Sequence, residues 1–136
     1  PALIQPVTIA GHEFHLELAI DNRTRVQGLS DRTEIAPDGG MLFVFSQPQP
    51  LTFVMRRCLV PIDLIFLDPG GRVINTCQMT VEPLGKHGDD AQLHLYRSDW
   101  PAQFAIELRG GTLEILDLKS GQKIDLPLAD LKARTQ

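Results

Sequence analysis

Several features that define common protein classes are scarce in this sequence of 136 residues. Two cysteines are too few for a scaffold held together by disulfides. The 13 lysines and arginines are outnumbered by 17 aspartates and glutamates, which gives a net charge of −4. Because a nucleic-acid binder with a general basic surface would carry the opposite balance, we predict no nucleic-acid partner.

Long apolar stretches are lacking as well. The longest runs, 41–45 and 64–67, have the length of strands and fall far short of the ~20 residues that cross a membrane. No charged-then-apolar targeting segment stands at the start, and the chain opens on Pro1 rather than on Met. We therefore expect a processed or trimmed chain with no transmembrane segment, and the residues alone leave its compartment open.

The residues that are abundant define the fold class. Apolar residues form 43% of the sequence, and its length suits a single domain over 1–136. The 11 glycines and 10 prolines leave little room for long helices, and short apolar or alternating runs recur between them. We predict a mainly β fold, a compact β-sandwich or partly open barrel of about eight short strands with one or two short helices. Residues 127–136 are expected to form a frayed tail.

Asp63 is the most unusual residue in this pattern, because it lies inside the apolar run 61–67. A carboxylate buried without a partner is costly. The preceding apolar run ends at Arg56 and Arg57, and strand alternation turns one of these arginines inward. We predict that this arginine pairs with Asp63, either as a structural ion pair or as part of a binding site beside Met55.

Two further arginines bracket the short helix predicted over 23–29. Arg25 and Arg32 are seven residues apart, which places them on one face of a helix. Their planar guanidinium groups suit a carboxylate or a phosphate, so they are candidates for an extended basic site. A solvated helix face is the alternative for either residue alone.

The two cysteines each end a predicted strand. A hairpin closing at 68–71 would place Cys77 roughly opposite Asp63, near enough to Cys58 for a disulfide; two buried free thiols are the alternative. No histidine spacing matches a zinc site and no glycine pair forms a phosphate loop, so we predict no metal and no cofactor. The segment His87–Asp90 fits an ordinary polar loop better than a cation site.

Five motifs follow one another along the chain: Gly28-Leu29, Gly40-Met-Leu-Phe-Val-Phe45, Phe53-Val-Met55-Arg56, Pro61-Ile-Asp-Leu-Ile-Phe-Leu-Asp68 and Ala102-Gln-Phe-Ala-Ile-Glu-Leu108. Their order resembles domain-of-unknown-function family 192 over about 17–126. The resemblance implies a small β-rich sandwich, found widely in bacteria and archaea, often behind a secretion or lipoprotein signal and without a settled activity. On that basis we expect a periplasmic or otherwise extracytoplasmic protein, with the cytoplasm as the alternative.

One motif departs from the family pattern. The family's Phe-Trp-Met-Lys-Asn-Thr stands here as Phe-Val-Met-Arg-Arg-Cys over 53–58. Arg56 keeps the positive charge, whereas the Asn-Thr pair is absent together with any role that needs those polar groups. Cys58 is then a local substitution, which favours the disulfide.

These patterns lead to one expected function and two alternatives. We expect a non-enzymatic extracytoplasmic module that binds a small ligand, for example an anion, or a protein partner near Arg56, Asp63 and Met55. The first alternative is a hydrolase acting on a small anionic substrate, with Asp63 as the acid or base. The second is an accessory interaction protein without a pocket. An open cleft lined by Arg56 and Asp63 would favour binding or catalysis, and a sealed ion pair would favour the accessory role.

Overall fold

The structure is a computed structural model that describes residues 2–83 and 93–136. The predicted polar loop at His87–Asp90 lies outside the described residues. No helix in the described part of the chain is both long enough and apolar enough to cross a membrane. The elements are β1 (Ile4–Ile9), β2 (His12–Ala19), α1 (Asn22–Gln27), β3 (Met41–Phe53), β4 (Ile62–Leu67), β5 (Val73–Met79), β6 (Tyr96–Arg109), α2 (Thr112–Leu116) and α3 (Leu128–Arg134).

The described strands form one open, mixed sheet of six strands in the order β1-β2-β3-β6-β4-β5. Only β2 and β3 run parallel, and every other neighbouring pair is antiparallel. The parallel pair needs a crossover, which carries α1 and the loop after it over one face of the sheet. The predicted class, mainly β with short helices, is confirmed.

The described strands number six rather than about eight, in part because β3 continues from the apolar run 41–45 through 46–53 as one strand. β3 runs through Pro48 and Pro50, where register shifts interrupt its pairing with β6. Pro50 stands opposite Pro101, so neither residue of this pair has an amide proton to offer. Residues 123–126, a further apolar and polar alternation, contribute a single bridge between Lys123 and Arg72 rather than a strand.

The two faces of the sheet bury separate apolar clusters. On the first, here called the helical face, Leu42, Ile65 and Ile106 pack with residues of α2 and α3. The second, here called the cleft face, includes Phe43 and Leu64 and is covered by the loops that follow α1 and β3. β4 and the central segments 41–44 of β3 and 102–108 of β6 are buried on both faces.

The C-terminal residues differ from the frayed tail expected for 127–136. They form α3, whose Leu131 is fully buried in the cluster of the helical face. Beyond α3, the backbone N–H of Gln136 donates to the carbonyl of Ile20 over 2.8 Å. One apolar anchor and this backbone contact hold the segment against the sheet.

Candidate functional site

An open cleft of about 410 Å³ lies on the cleft face, between α1 with its following turn and the loop that follows β3. Its apolar wall consists of the rings of Phe43, Phe45 and Phe53, with the first and last in edge-to-face contact at 5.0 Å. The charged groups that line the cleft are Arg25, Arg56 and Glu107. The cleft therefore combines aromatic surface with charges of both signs.

Three contacts hold the two walls of the cleft together. The hydroxyl of Ser30 donates to the carbonyl of Arg56 over 3.2 Å, and the N–H of Asp31 donates to the carbonyl of Arg57 over 2.8 Å. The exposed guanidinium of Arg57 also pairs with the Asp31 carboxylate at 3.0 Å. Arg57 is thus a wall contact and does not line the cleft.

Arg25 is fixed by the backbone around it. Its guanidinium donates to the carbonyls of Val44 at 2.7 Å and Gln136 at 2.6 Å, and to the side chain of Asn22 at 2.9 Å. It also lies over the ring of Phe45, 5.3 Å from the centroid. Burial lowers the pKa of Arg25, but an arginine stays charged at any ordinary pH. Arg25 therefore brings a fixed positive charge to the cleft.

Glu107 is the residue of the candidate site that the sequence interpretation missed. Only 5% of it is exposed, and its neighbours across the sheet are the apolar residues Met41 and Leu64. No donor among the described residues makes a hydrogen bond to its carboxyl group, and burial raises its pKa to about 8. The sequence feature that could have indicated it is a glutamate within the apolar run Phe104–Leu108. The same alternation of apolar and polar residues is equally typical of a strand with one face in water.

Asp63 is buried on the opposite face of the sheet, at 2% exposure. Its carboxylate accepts a 2.8 Å hydrogen bond from the N–H of Leu113, and further bonds from the N–H groups of Gly111 and Thr112. Burial outweighs these bonds and raises its pKa. The predicted ion pair between Asp63 and an arginine is therefore wrong: the backbone at the start of α2 satisfies the carboxylate.

The other two predicted site residues also lie away from the cleft lining. Both guanidinium nitrogens of Arg32 contact the carboxylate of Glu17, at 2.7 and 2.9 Å, which lowers the pKa of Glu17. Met55 is fully buried in the core beneath the cleft face. Of the five predicted residues, the structure brings Arg25 and Arg56 together and leaves Arg32, Met55 and Asp63 elsewhere.

Both cysteines are free, so the disulfide alternative is not realised. Cys77 stands opposite Leu64 rather than Asp63. Cys58 lies in the cleft wall, where burial raises the pKa of its thiol to about 12. Among the described residues, no group of three histidine, cysteine, aspartate or glutamate side chains is placed to hold a metal ion.

A larger depression of about 610 Å³ lies between the β1–β2 turn and the start of α2. Its acidic and basic side chains Glu13, Asp38 and Arg109 are exposed to solvent. Since a specific site needs a few polar groups fixed in an apolar setting, the smaller cleft with Glu107 is the better candidate.

This fold, a mixed open sheet with an aromatic and arginine-lined cleft on one face, has known relatives. The sequence model of the uncharacterised family described as "Uncharacterized ACR", domain-of-unknown-function family 192, matches residues 5–126. The chain belongs to this family, which confirms the resemblance seen in the sequence.

Two solved structures are similar to this one. A protein of unknown function from Novosphingobium aromaticivorans DSM 12444 is 30% identical, with a TM-score of 0.77 over 90% of this chain and 85% of that chain. A protein of Sinorhizobium meliloti 1021 described as a "putative transcription regulator" is 28% identical, with a TM-score of 0.74 over 88% and 89%. No curated protein sequence matches the chain.

Proposed function

We propose that this protein is a non-enzymatic binding module that takes a small anionic ligand with an apolar part into the cleft. The observation that carries the proposal is the cleft itself, about 410 Å³ in volume and lined by two arginines and three phenylalanine rings. Its volume falls within the ~300–1,000 Å³ typical of small-molecule sites. The arginines match an anionic group and the rings match an apolar body.

A hydrolase is less well supported by the same geometry. With Asp63 on the other face, the acid or base of the cleft would be Glu107, and catalysis would need a second titratable group beside it. Among the described residues that line the cleft, the other titratable group without a fixed charge is Cys58, whose thiol keeps its proton because burial raises its pKa to about 12. A buried neutral thiol is a poor nucleophile and a poor base, which favours binding over catalysis.

Nucleic acid and protein are the remaining partners to weigh. One relative is described as a regulator of transcription, yet the net charge here is −4 and the helices in the described part span five to seven residues. No feature of the cleft favours a protein partner in the same way.

The proposed location is extracytoplasmic, on the basis of the family resemblance. Fractionation of cells that make the full-length gene product tests it.

A thermal-shift screen of small anions and sugars tests the proposal directly. A ligand that binds only the folded state stabilises it, by about 2.7 kcal/mol at a concentration of 100 times Kd. We expect stabilisation of the wild type by anions with an apolar part, and its loss in Arg56→Ala. Arg23→Ala is the matched control, because Arg23 is an exposed arginine of α1 that does not line the cleft. Equal shifts in wild type and Arg56→Ala would contradict the proposal.

A further inference from the structure

The carboxyl group of Glu107 is poised for a contact that the described protein does not supply. Only 5% of the Glu107 residue is exposed, the residue lines the cleft, and no described residue donates a hydrogen bond to its carboxyl group. Gly28 lies directly beside it: a Cβ atom there would lie 3.8 Å from its Oε1 and 3.5 Å from Cζ of Phe43. Because Gly28 has no side chain, the space beside this oxygen stays open to a ligand.

The charge state of Glu107 follows from these surroundings. Ionised carboxylates are stable when buried only if donors or positive charges compensate them. The sheet neighbours Met41 and Leu64 are apolar, and the guanidinium of Arg25 is bound to backbone carbonyls. An anionic ligand held near an ionised Glu107 would add repulsion to this cost, so the anion can be accommodated only when the carboxyl is protonated.

A protonated carboxyl group has one O–H donor, and an anionic oxygen is its strongest acceptor. Resting on the proposed function, we propose that Glu107 binds the ligand as a neutral acid that donates its proton in a hydrogen bond, and that the ligand is a small carboxylate with an apolar body. Carboxylate is favoured over phosphate, since a phosphate needs several donors around its oxygens and three phenylalanine rings line this cleft.

The proton balance gives a pH signature. When Glu107 is already protonated, the anion binds without proton exchange; when it is ionised, each anion bound takes up one proton from water. Affinity is therefore constant at low pH and falls tenfold per pH unit above the pKa of Glu107. The raised pKa of about 8 places this fall in the alkaline range rather than near pH 4.5.

Among the described residues, the other charged and titratable side chains that line the cleft are Arg25, Arg56 and Cys58. Guanidinium groups keep their charge at any ordinary pH. Burial raises the pKa of Cys58 to about 12, well above the range tested. A fall in affinity between pH 6 and 9.5 that is absent in Glu107→Gln is thus assigned to Glu107.

The experiment uses benzoate as the probe and benzylamine as its positively charged counterpart of the same shape. Calorimetric titration of the wild type in two buffers of different ionisation enthalpy counts the protons taken up. We expect benzoate to bind about thirtyfold more weakly at pH 9.5 than at pH 6, with uptake approaching one proton at the higher pH. Glu107→Gln keeps the size and a neutral N–H donor, so its affinity should be the same at both pH values.

The outcomes separate this inference from the proposed function. Equal benzoate affinity at the two pH values in the wild type overturns the inference, as does the same loss in Glu107→Gln. If another anion of the screen binds and loses affinity in Arg56→Ala while benzoate does not bind, the proposed function stands and the carboxylate is wrong. If benzylamine binds and no anion does, both fail. If no screened compound binds the wild type, both fail. Should Glu107→Gln not fold, the wild-type affinities and proton count decide alone.

Discussion

At the scale of single residues, Asp63 and Glu107 lie on adjacent strands, are both buried, and differ in their hydrogen-bond donors. Asp63 accepts bonds from the backbone N–H groups of residues 111–113, whereas no described group donates to Glu107. A carboxylate that is satisfied by the backbone fixes local structure. One that is left open to a cleft is available to a ligand, which is why we assign the structural role to Asp63 and the binding role to Glu107.

The structural role of Asp63 predicts a stability loss on its removal. Asp63→Ala leaves the N–H groups at the start of α2 without their acceptor, and we expect a loss of about 1–3 kcal/mol in the free energy of unfolding. Asp63→Asn keeps one acceptor oxygen and should lose less. Urea denaturation measures both, with the exposed Asp125→Ala as the control. A loss in Asp63→Ala no larger than in Asp125→Ala would contradict the assignment.

At the scale of elements, the start of β3 depends on a glycine. Gly40 has φ of +134°, and a Cβ atom there would overlap the backbone carbonyl oxygen of Glu107 in β6. Backbone cannot move aside as a flexible side chain can, so Gly40→Ala should cost well over the ~1 kcal/mol of an ordinary unfavourable φ, and can abolish folding. Gly11→Ala is the matched control, with φ of +83° and no atom within 4 Å. Equal losses in the two variants would contradict this account.

The last helix offers a second prediction at this scale. Leu131 of α3 is fully buried against the helical face, so Leu131→Ala should reduce the free energy of unfolding by about 2–5 kcal/mol. Chemical denaturation measures the loss. Asp130→Ala, on the exposed side of the same helix, should change it by less than about 1 kcal/mol. A loss in Leu131→Ala as small as in this control would contradict the packing of α3 and support the expected frayed tail instead.

The elements also show how far the sequence could be interpreted. The apolar run 62–67 and the Asp-Pro-Gly-Gly turn predicted β4 and its hairpin with β5 correctly, because period, propensity and turn chemistry agree there. The partner of Asp63 could not be predicted, since Leu113 lies 50 residues away and meets it only through the order of strands. Glu107 was missed for the same reason: alternation does not reveal that β6 is a central strand covered on both faces.

At the scale of the whole molecule, the open sheet separates stability from recognition. The helical face is closed by α2 and α3 around an apolar cluster, whereas the cleft face carries the charged groups of the candidate site. The ion pair between Arg32 and Glu17 lies on β2 and the loop after α1, with β3 between it and Glu107. Two strand spacings place Glu17 and Glu107 about 10 Å apart, far enough for their effects on stability to be nearly additive.

The distance between Glu17 and Glu107 predicts that the free energy of unfolding depends on pH in two independent ways, an acid limb set by Glu17 and an alkaline decline set by Glu107. The pKa of Glu107 rises from 4.5 to about 8 on folding, so the folded state holds the extra proton between these values. The contribution of Glu107 to the free energy of unfolding is fully present below pH 4.5 and is lost as the pH rises through 8. At 1.36 kcal/mol per pKa unit, the loss amounts to about 5 kcal/mol. The raised pKa of Asp63 acts in the same direction.

The pKa of Glu17, in contrast, is lowered by Arg32, so its contribution is present above pH 4.5 and is lost as the pH falls. We therefore expect the free energy of unfolding to be greatest near pH 5 and to decline on both sides. Urea denaturation between pH 3 and 9 measures the profile: Glu107→Gln should remove most of the alkaline decline and leave the acid limb, and Arg32→Ala should weaken only the acid limb. An alkaline decline that persists unchanged in Glu107→Gln would show that the buried carboxyl is not its source.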